Sequence, residues 1–142
     1  MPDGFELLQA DHRAVEQLVA RYRQTTDDVT AHDIAEHLTV HSRIEEQVLY
    51  PELRRLVDGG DDLADESVDE HAVIASLIAR MQDSPPADLR GVVESIAADV
   101  GAHVRREEDV VFPAMREAGV DADALGARLE DARRHASSPN GV

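Results

Sequence analysis

Two stretches of this chain carry one pattern of residues. His41-Ser-Arg-Ile-Glu45-Glu46-Gln-Val48-Leu49-Tyr50-Pro51 matches His103-Val-Arg-Arg-Glu107-Glu108-Asp-Val110-Val111-Phe112-Pro113 at identical offsets, and an acidic residue followed by histidine precedes each copy, as Asp11-His12 and Glu70-His71. The upstream stripes correspond as well, because His12, Val15, Val19, Tyr22 and His71, Ile74, Ile78, Met81 share one spacing. Steps of three and four are the period of a helix face packed in a bundle, and no stretch sustains the period-two pattern of a strand. The chain therefore reads as all-α: two copies of a helical hairpin making an antiparallel up-down-up-down four-helix bundle.

Four segments build that bundle. The first opens on Asp3 with Glu6 three residues later, a capping-box pattern, runs Phe5, Leu8, His12, Val15, Val19, Tyr22 along its stripe and ends near Gln24. The second follows the polar stretch Thr25 to Thr30, carries Ile34, Leu38, His41, Glu45 and Val48, and continues to about Val57. Asp58-Gly59-Gly60-Asp61-Asp62 is the clearest turn. The third places Ser67, His71, Ile74, Ile78 and Met81 in line until Asp83-Ser84-Pro85-Pro86 interrupts it, since proline can begin a helix but not continue one. The fourth aligns Leu89, Val93, Ile96, Val100, His103, Glu107, Val110 and Ala114, with Gly119 as its stop. Residues 1–119 thus read as the bundle and 120–136 as a short amphipathic helix, with Leu125 and Leu129, packed outside it. Residues 137–142 read as a loose tail.

The chemistry lies in what occupies the core stripes. Four residues turn a helix by about 400°, so His41 and Glu45 lie about 40° apart on one face, as do His103 and Glu107. Glu46 and Glu108, about 140° from their histidines, are predicted to face away. His12, His41, Glu45, His71, His103 and Glu107 all fall where the rhythm demands apolar side chains. Unpaired, each would carry a desolvation cost of several kcal/mol. A bound cation compensates all six, whereas ion pairing alone would leave two buried carboxylates to be balanced among four imidazoles. Four imidazoles and two carboxylates exceed one tetrahedral zinc site, and no His-Glu-x-x-His motif is present. They suit two first-row metals bridged by carboxylates, iron or manganese before zinc.

Composition removes competing classes. The 142 residues carry 30 acidic against 14 basic side chains, all of the latter arginine, for a formal net charge of −16. Such a field opposes nucleic acid and anionic membranes as partners. The absence of cysteine excludes disulfides, thiolate sites and thiol nucleophiles. No apolar run approaches the roughly 18 residues of a membrane span, and Met1 to Gln9 lacks the character of a signal peptide, so the expected location is the cytoplasm.

These residues resemble the haemerythrin-like proteins of the HHE cation-binding type, whose signature of His, His-x-x-x-Glu, His and His-x-x-x-Glu is matched by His12, His41-Glu45, His71 and His103-Glu107. The resemblance spans about Phe5 to Gly119. It implies an oxo- or hydroxo-bridged pair of non-haem irons with Glu45 and Glu107 as bridges, and a small-molecule ligand such as O2, H2O2 or NO. The match departs from the oxygen-carrying haemerythrins at Ala75, where those have a further histidine, and at His103-x-x-x-Glu107, where those have His-x-x-x-x-Asp. One nitrogen ligand fewer favours turnover, with catalase-like peroxide decomposition ahead of O2 or NO binding or sensing and ahead of iron storage or sensing.

Two more residues are candidates for a supporting or ligating role. His37 stands one turn before His41 at the edge of the stripe. Tyr50 and its counterpart Phe112 lie about half a turn off the ligand face in an unbroken helix, a geometry that Pro51 and Pro113 can alter. His32 and His135 read as solvent-exposed.

Overall fold

The computed structural model describes residues 2–136, and the tail at 137–142 falls outside them. Helix α1 spans Gly4–Thr25, α2 Asp28–Ile44, α3 Tyr50–Leu56, α4 Gly60–Asp83, α5 Pro86–Arg106, α6 Phe112–Glu117 and α7 Ala122–Ala136. No strand occurs among the described residues. Helices α1, α2, α4 and α5 form the up-down-up-down bundle, with α3 prolonging α2 and α6 prolonging α5. Helix α7 packs against α1 and α2.

Local chemistry sets the ends. Asp3 accepts from the Glu6 amide at 2.9 Å while Glu6 reaches back to the Asp3 amide, closing the capping box at α1. Asp27 caps α2 by accepting from the Thr30 amide, so α2 begins inside the polar stretch Thr25 to Thr30 rather than after it. Its side-chain cap outweighs the local polarity. Likewise α4 starts at Gly60, within the expected turn. Gly59 takes the left-handed φ of 76°, and Gly60 packs so closely on the Leu53 carbonyl that no side chain fits. Gly119, at φ 84°, ends α6 where a stop was expected.

The second and fourth segments are not single unbroken α-helices. Each contains one wide π turn, at Glu45–Leu49 and at Glu107–Val111, closed by the Tyr50 and Phe112 amides donating to the Glu45 and Glu107 carbonyls. Pro51 and Pro113 have no N–H for the carbonyl four residues back, so the α ladder must break there, and the wide turn accommodates the break. One extra residue per turn swings everything beyond it by about 100°. Past Glu107 the stripe accordingly shifts, and Val111, Phe112 and Met115 are fully buried; Val110 is 45% exposed, whereas its counterpart Val48 is covered by α7, which packs on the first π turn.

The core is split in two. One apolar cluster runs from Val15 and Ile34 to Ile96 and Val104, and the other gathers Phe5, Ile44, Leu53, Phe112 and Met115 with Leu125 and Leu129 of α7. Between them lie the buried His12, His41, Glu45, His71, His103 and Glu107. No helix among the described residues is long and apolar enough to cross a membrane.

Candidate metal centre

The six side chains singled out by the repeat meet at one place. His12, His41, Glu45 and Glu107 each offer a ligand atom within 4.8 Å of one another, and Glu45, His71, His103 and Glu107 do the same. The two groups share both glutamates and are related by the duplication, with α1 and α2 supplying the histidines of one and α4 and α5 those of the other. Glu45 and Glu107 are wholly buried, each one turn after a histidine of its own helix: His41 Nε2 lies 3.3 Å from Glu45 and His103 Nε2 3.3 Å from Glu107. Across the bundle, His12 Nε2 lies 3.2 Å from Glu107 and His71 Nε2 3.1 Å from Glu45.

The outer nitrogen of every histidine is held by a carboxylate from another helix or turn. His12 Nδ1 meets Glu108 at 2.6 Å, His41 Nδ1 meets Asp11 at 2.8 Å, His71 Nδ1 meets Glu46 at 2.8 Å and His103 Nδ1 meets Glu70 at 2.6 Å. These bonds direct each Nδ1–H outward and leave each Nε2 facing inward, the arrangement that fixes tautomer and ring orientation in metal-bound histidines. Glu46 and Glu108 correct the sequence reading: they do not face away. A direction about 140° from the ligand face meets a neighbouring helix rather than solvent in a four-helix bundle, and there each glutamate finds a histidine ring. The acidic residue before His12 and His71 was visible as part of the repeat, but its partner was not.

Tyr50 is a third residue the structure relocates. The π turn rotates it back onto the ligand face, where its hydroxyl donates to Glu107 at 2.7 Å and lies 3.1 Å from His71 Nε2 and 3.2 Å from Glu45. Its counterpart Phe112 has no hydroxyl and stacks on His12 at 6.0 Å. The two halves of the centre thus differ in one oxygen. His37 lies beside the centre rather than in it, with Nε2 3.1 Å from the Asp11 carbonyl and its ring parallel to His41 at 6.4 Å. His32 and His135 are exposed, as expected.

Charge follows the geometry. Burial alone would lower the basicity of His41, but Glu45 and Asp11 overcome it and push its pKa up to about 10. His103 is likewise pushed up to about 11, by Glu107 and Glu45. Glu45 is held well below the usual carboxylate range despite burial, because the His41, His103 and His71 rings face it. Burial and the two glutamate charges raise the Tyr50 phenol well above its ordinary value. Without a cation the centre therefore offsets its two buried carboxylates with protons on His41 and His103.

The residues fit a pair of cations. His41 Nε2 and Glu45 Oε2 are buried without hydrogen-bond partners although they face one another. Two such orphans at one point are costly in an apolar bundle and suited to coordination. Access exists: a groove of ≈ 470 Å³ between α2 and α4, lined by Leu38, Ser42, Glu46, Ala72 and Ala75, reaches His71.

Comparison with known proteins agrees with this arrangement. The family model described as the hemerythrin HHE cation binding domain matches residues 3–114. A solved hemerythrin HHE cation binding domain-containing protein from Mycobacterium kansasii superimposes with a TM-score of 0.78 at 21% identity, covering 94% of this chain and 89% of that one. A protein of Nostoc sp. (strain PCC 7120) named DNA nickase is 30% identical over 117 residues, which span 78% of this chain and only 33% of the relative.

Proposed function

The chain belongs to the hemerythrin HHE cation-binding domain family, and on that premise we propose that it is a non-haem di-iron protein acting on small oxygen species, with catalase-like decomposition of hydrogen peroxide as its reaction. His12, His41, Glu45 and Glu107 would hold one iron and Glu45, His71, His103 and Glu107 the other. Iron suits this set of two imidazoles and two shared carboxylates per ion better than zinc, which favours closed tetrahedral sites, and better than manganese, which favours a larger share of oxygen donors. In this reading residues 1–119 form the metal-binding unit and α7 packs on it.

The observation that carries the reading is the groove at Ala75. The position where the oxygen-carrying haemerythrins have a further histidine is here a methyl group in the wall of the groove leading to His71. A centre short of a nitrogen ligand on its accessible side is suited to letting peroxide enter and products leave. When bound, the irons would supply redox-active Lewis acids, the chemistry needed for the net reaction of two H2O2 to two H2O and one O2. The protein's part is positional. The four outer carboxylates keep the Nε2 atoms convergent, and Tyr50 keeps a protonated hydroxyl beside Glu107 and His71. The net charge of −16 opposes a phosphodiester substrate, so the reading does not extend to the activity named for the Nostoc relative.

The test is metal analysis followed by oxygen evolution. Purified protein is expected to carry two irons per chain with near-ultraviolet charge-transfer absorption, and to release O2 from peroxide in a manner lost on iron removal and suppressed by Ala75→His. Zinc at one per chain would refute the di-iron reading. Reversible O2 binding over many cycles with no O2 released from peroxide would replace turnover by oxygen carriage or sensing.

A further inference from the structure

The two halves of the centre are completed differently. On the second half, Glu70 holds His103 and is itself gripped by Arg106, whose Nε lies 3.3 Å from both carboxylate oxygens. Arg106 stands three residues after His103, and the residue three after His41 in the first copy is Ile44, fully buried in the apolar cluster beside α7. The first copy cannot supply the matching guanidinium from its own helix. Helix α7 supplies one: Arg133 donates to Asp11 Oδ2 at 2.6 Å, and the same oxygen accepts from His41 Nδ1 at 2.8 Å. Arg133 lies outside the residues that the family model matches.

We propose that Arg133 is a positioning residue for the first half of the centre, acting through Asp11 to fix the ring of His41, so that α7 completes a site the duplicated hairpins leave unfinished. The inference rests on the reading of the six buried side chains as metal ligands. A carboxylate held by one hydrogen bond can rotate, whereas one pinned between a guanidinium and an imidazole cannot, and the imidazole is fixed with it. The placement of α7 is specific enough for this role. Leu125 and Leu129 are buried against the bundle, and a side chain at Gly126 would come within 3.0 Å of the Gly4 amide nitrogen and the Pro2 carbonyl. That close approach sets the register that delivers Arg133 two turns later. Arg133 also leaves its own Nε buried without a partner, so the side chain is not seated there to satisfy its own hydrogen bonds.

The experiment loads metal-free protein with cobalt(II) under anaerobic conditions and follows its removal by a chelator through the visible absorption of the bound ion. Wild type is expected to bind two ions. In Arg133→Met one of them should leave about 10-fold faster with the other unchanged, the scale typical of lost support behind a ligand. Arg106→Met should give the mirror image, with a different component of the spectrum lost first. Arg133→Lys should restore most of the retention, and Arg133→Met should add nothing once Asp11→Asn is present. Should Arg133→Met fail to fold, Arg133→Leu, which likewise has no donor, carries the same expectation. A lowered melting temperature with both ions leaving at the wild-type rate would overturn the proposal, as would additivity with Asp11→Asn. Wild type that binds no cobalt would overturn the ligand reading and this inference together, which distinguishes that failure from the others.

Discussion

Loading a divalent cation into the metal-free protein should release protons, and the number follows from the charge state of the centre. His41 and His103 have their pKa values raised to about 10 and about 11 by the carboxylates they face. At pH 8 both imidazoles are cationic, with Nε2–H directed at Glu45 or Glu107 where a metal would sit. Binding must remove both protons, while the Nδ1–H bonds to Asp11 and Glu70 remain. At about 1.4 kcal/mol per pH unit, deprotonation at pH 8 opposes binding by about 3 kcal/mol at His41 and about 4 kcal/mol at His103. Each ion displaces one of these protons, so the apparent association constant of each cobalt(II) ion should rise about 10-fold between pH 8 and pH 9, and level off once the pH exceeds both values. Titration calorimetry in buffers of different ionisation enthalpy reads the proton count directly, and two are expected at pH 8. A third proton, lost in Tyr50→Phe, would report that the phenol enters the centre as phenolate. An affinity that does not change over that pH interval, or release of fewer than one proton, would refute the picture of a centre neutralised by protons on His41 and His103.

Three other outcomes follow. Glu45→Ala and Glu107→Ala should each abolish retention of metal through gel filtration, whereas Glu46→Gln and Glu108→Gln should weaken affinity by about 10- to 100-fold in competition titrations, because they hold ligand rings without sharing the ions. The metal-free protein should be stabilised by its protonated histidines in full below their unfolded pKa of 6.5, and should lose that contribution as pH rises through about 10 and about 11. Its melting temperature should therefore fall from pH 7 to pH 10 while that of the loaded protein holds steady. Gly60→Ala should destabilise the fold by about 1–3 kcal/mol in denaturant titration, since its methyl group would run into the Leu53 carbonyl, with metal stoichiometry unchanged.

What could be read from the sequence was whatever depends on separations of a few residues along one helix. The three-four stripes and the placing of His41 with Glu45 and of His103 with Glu107 are of this kind, and the repeat of that pattern along the chain showed that His12 and His71 hold matching places. So were the capping box at Asp3 and the stop at Gly119. Each is a consequence of helical geometry acting on near neighbours, and the burial of Phe5, Ile34, Ile74 and Val93 agrees with it.

Tertiary structure alone decided which groups stand behind the four buried histidines. His41 is held by Asp11 from α1, His71 by Glu46 from the first π turn, His103 by Glu70 from α4 and His12 by Glu108 from the second π turn. Those partners are separated by between 25 and 96 residues, and their meeting depends on how far one helix is slid and rotated against the next. Periodicity within a helix carries no information on that. The π turns belong to the same class, because prolines at positions 51 and 113 announce a break without saying whether the chain bends or widens to absorb it. Widening by one residue brought the Tyr50 hydroxyl into the centre. Arg133 is the extreme case. It is 122 residues from Asp11, on a helix outside the duplicated unit, and it reaches the ring of His41 only because Leu125, Gly126 and Leu129 seat α7 in one register on the bundle.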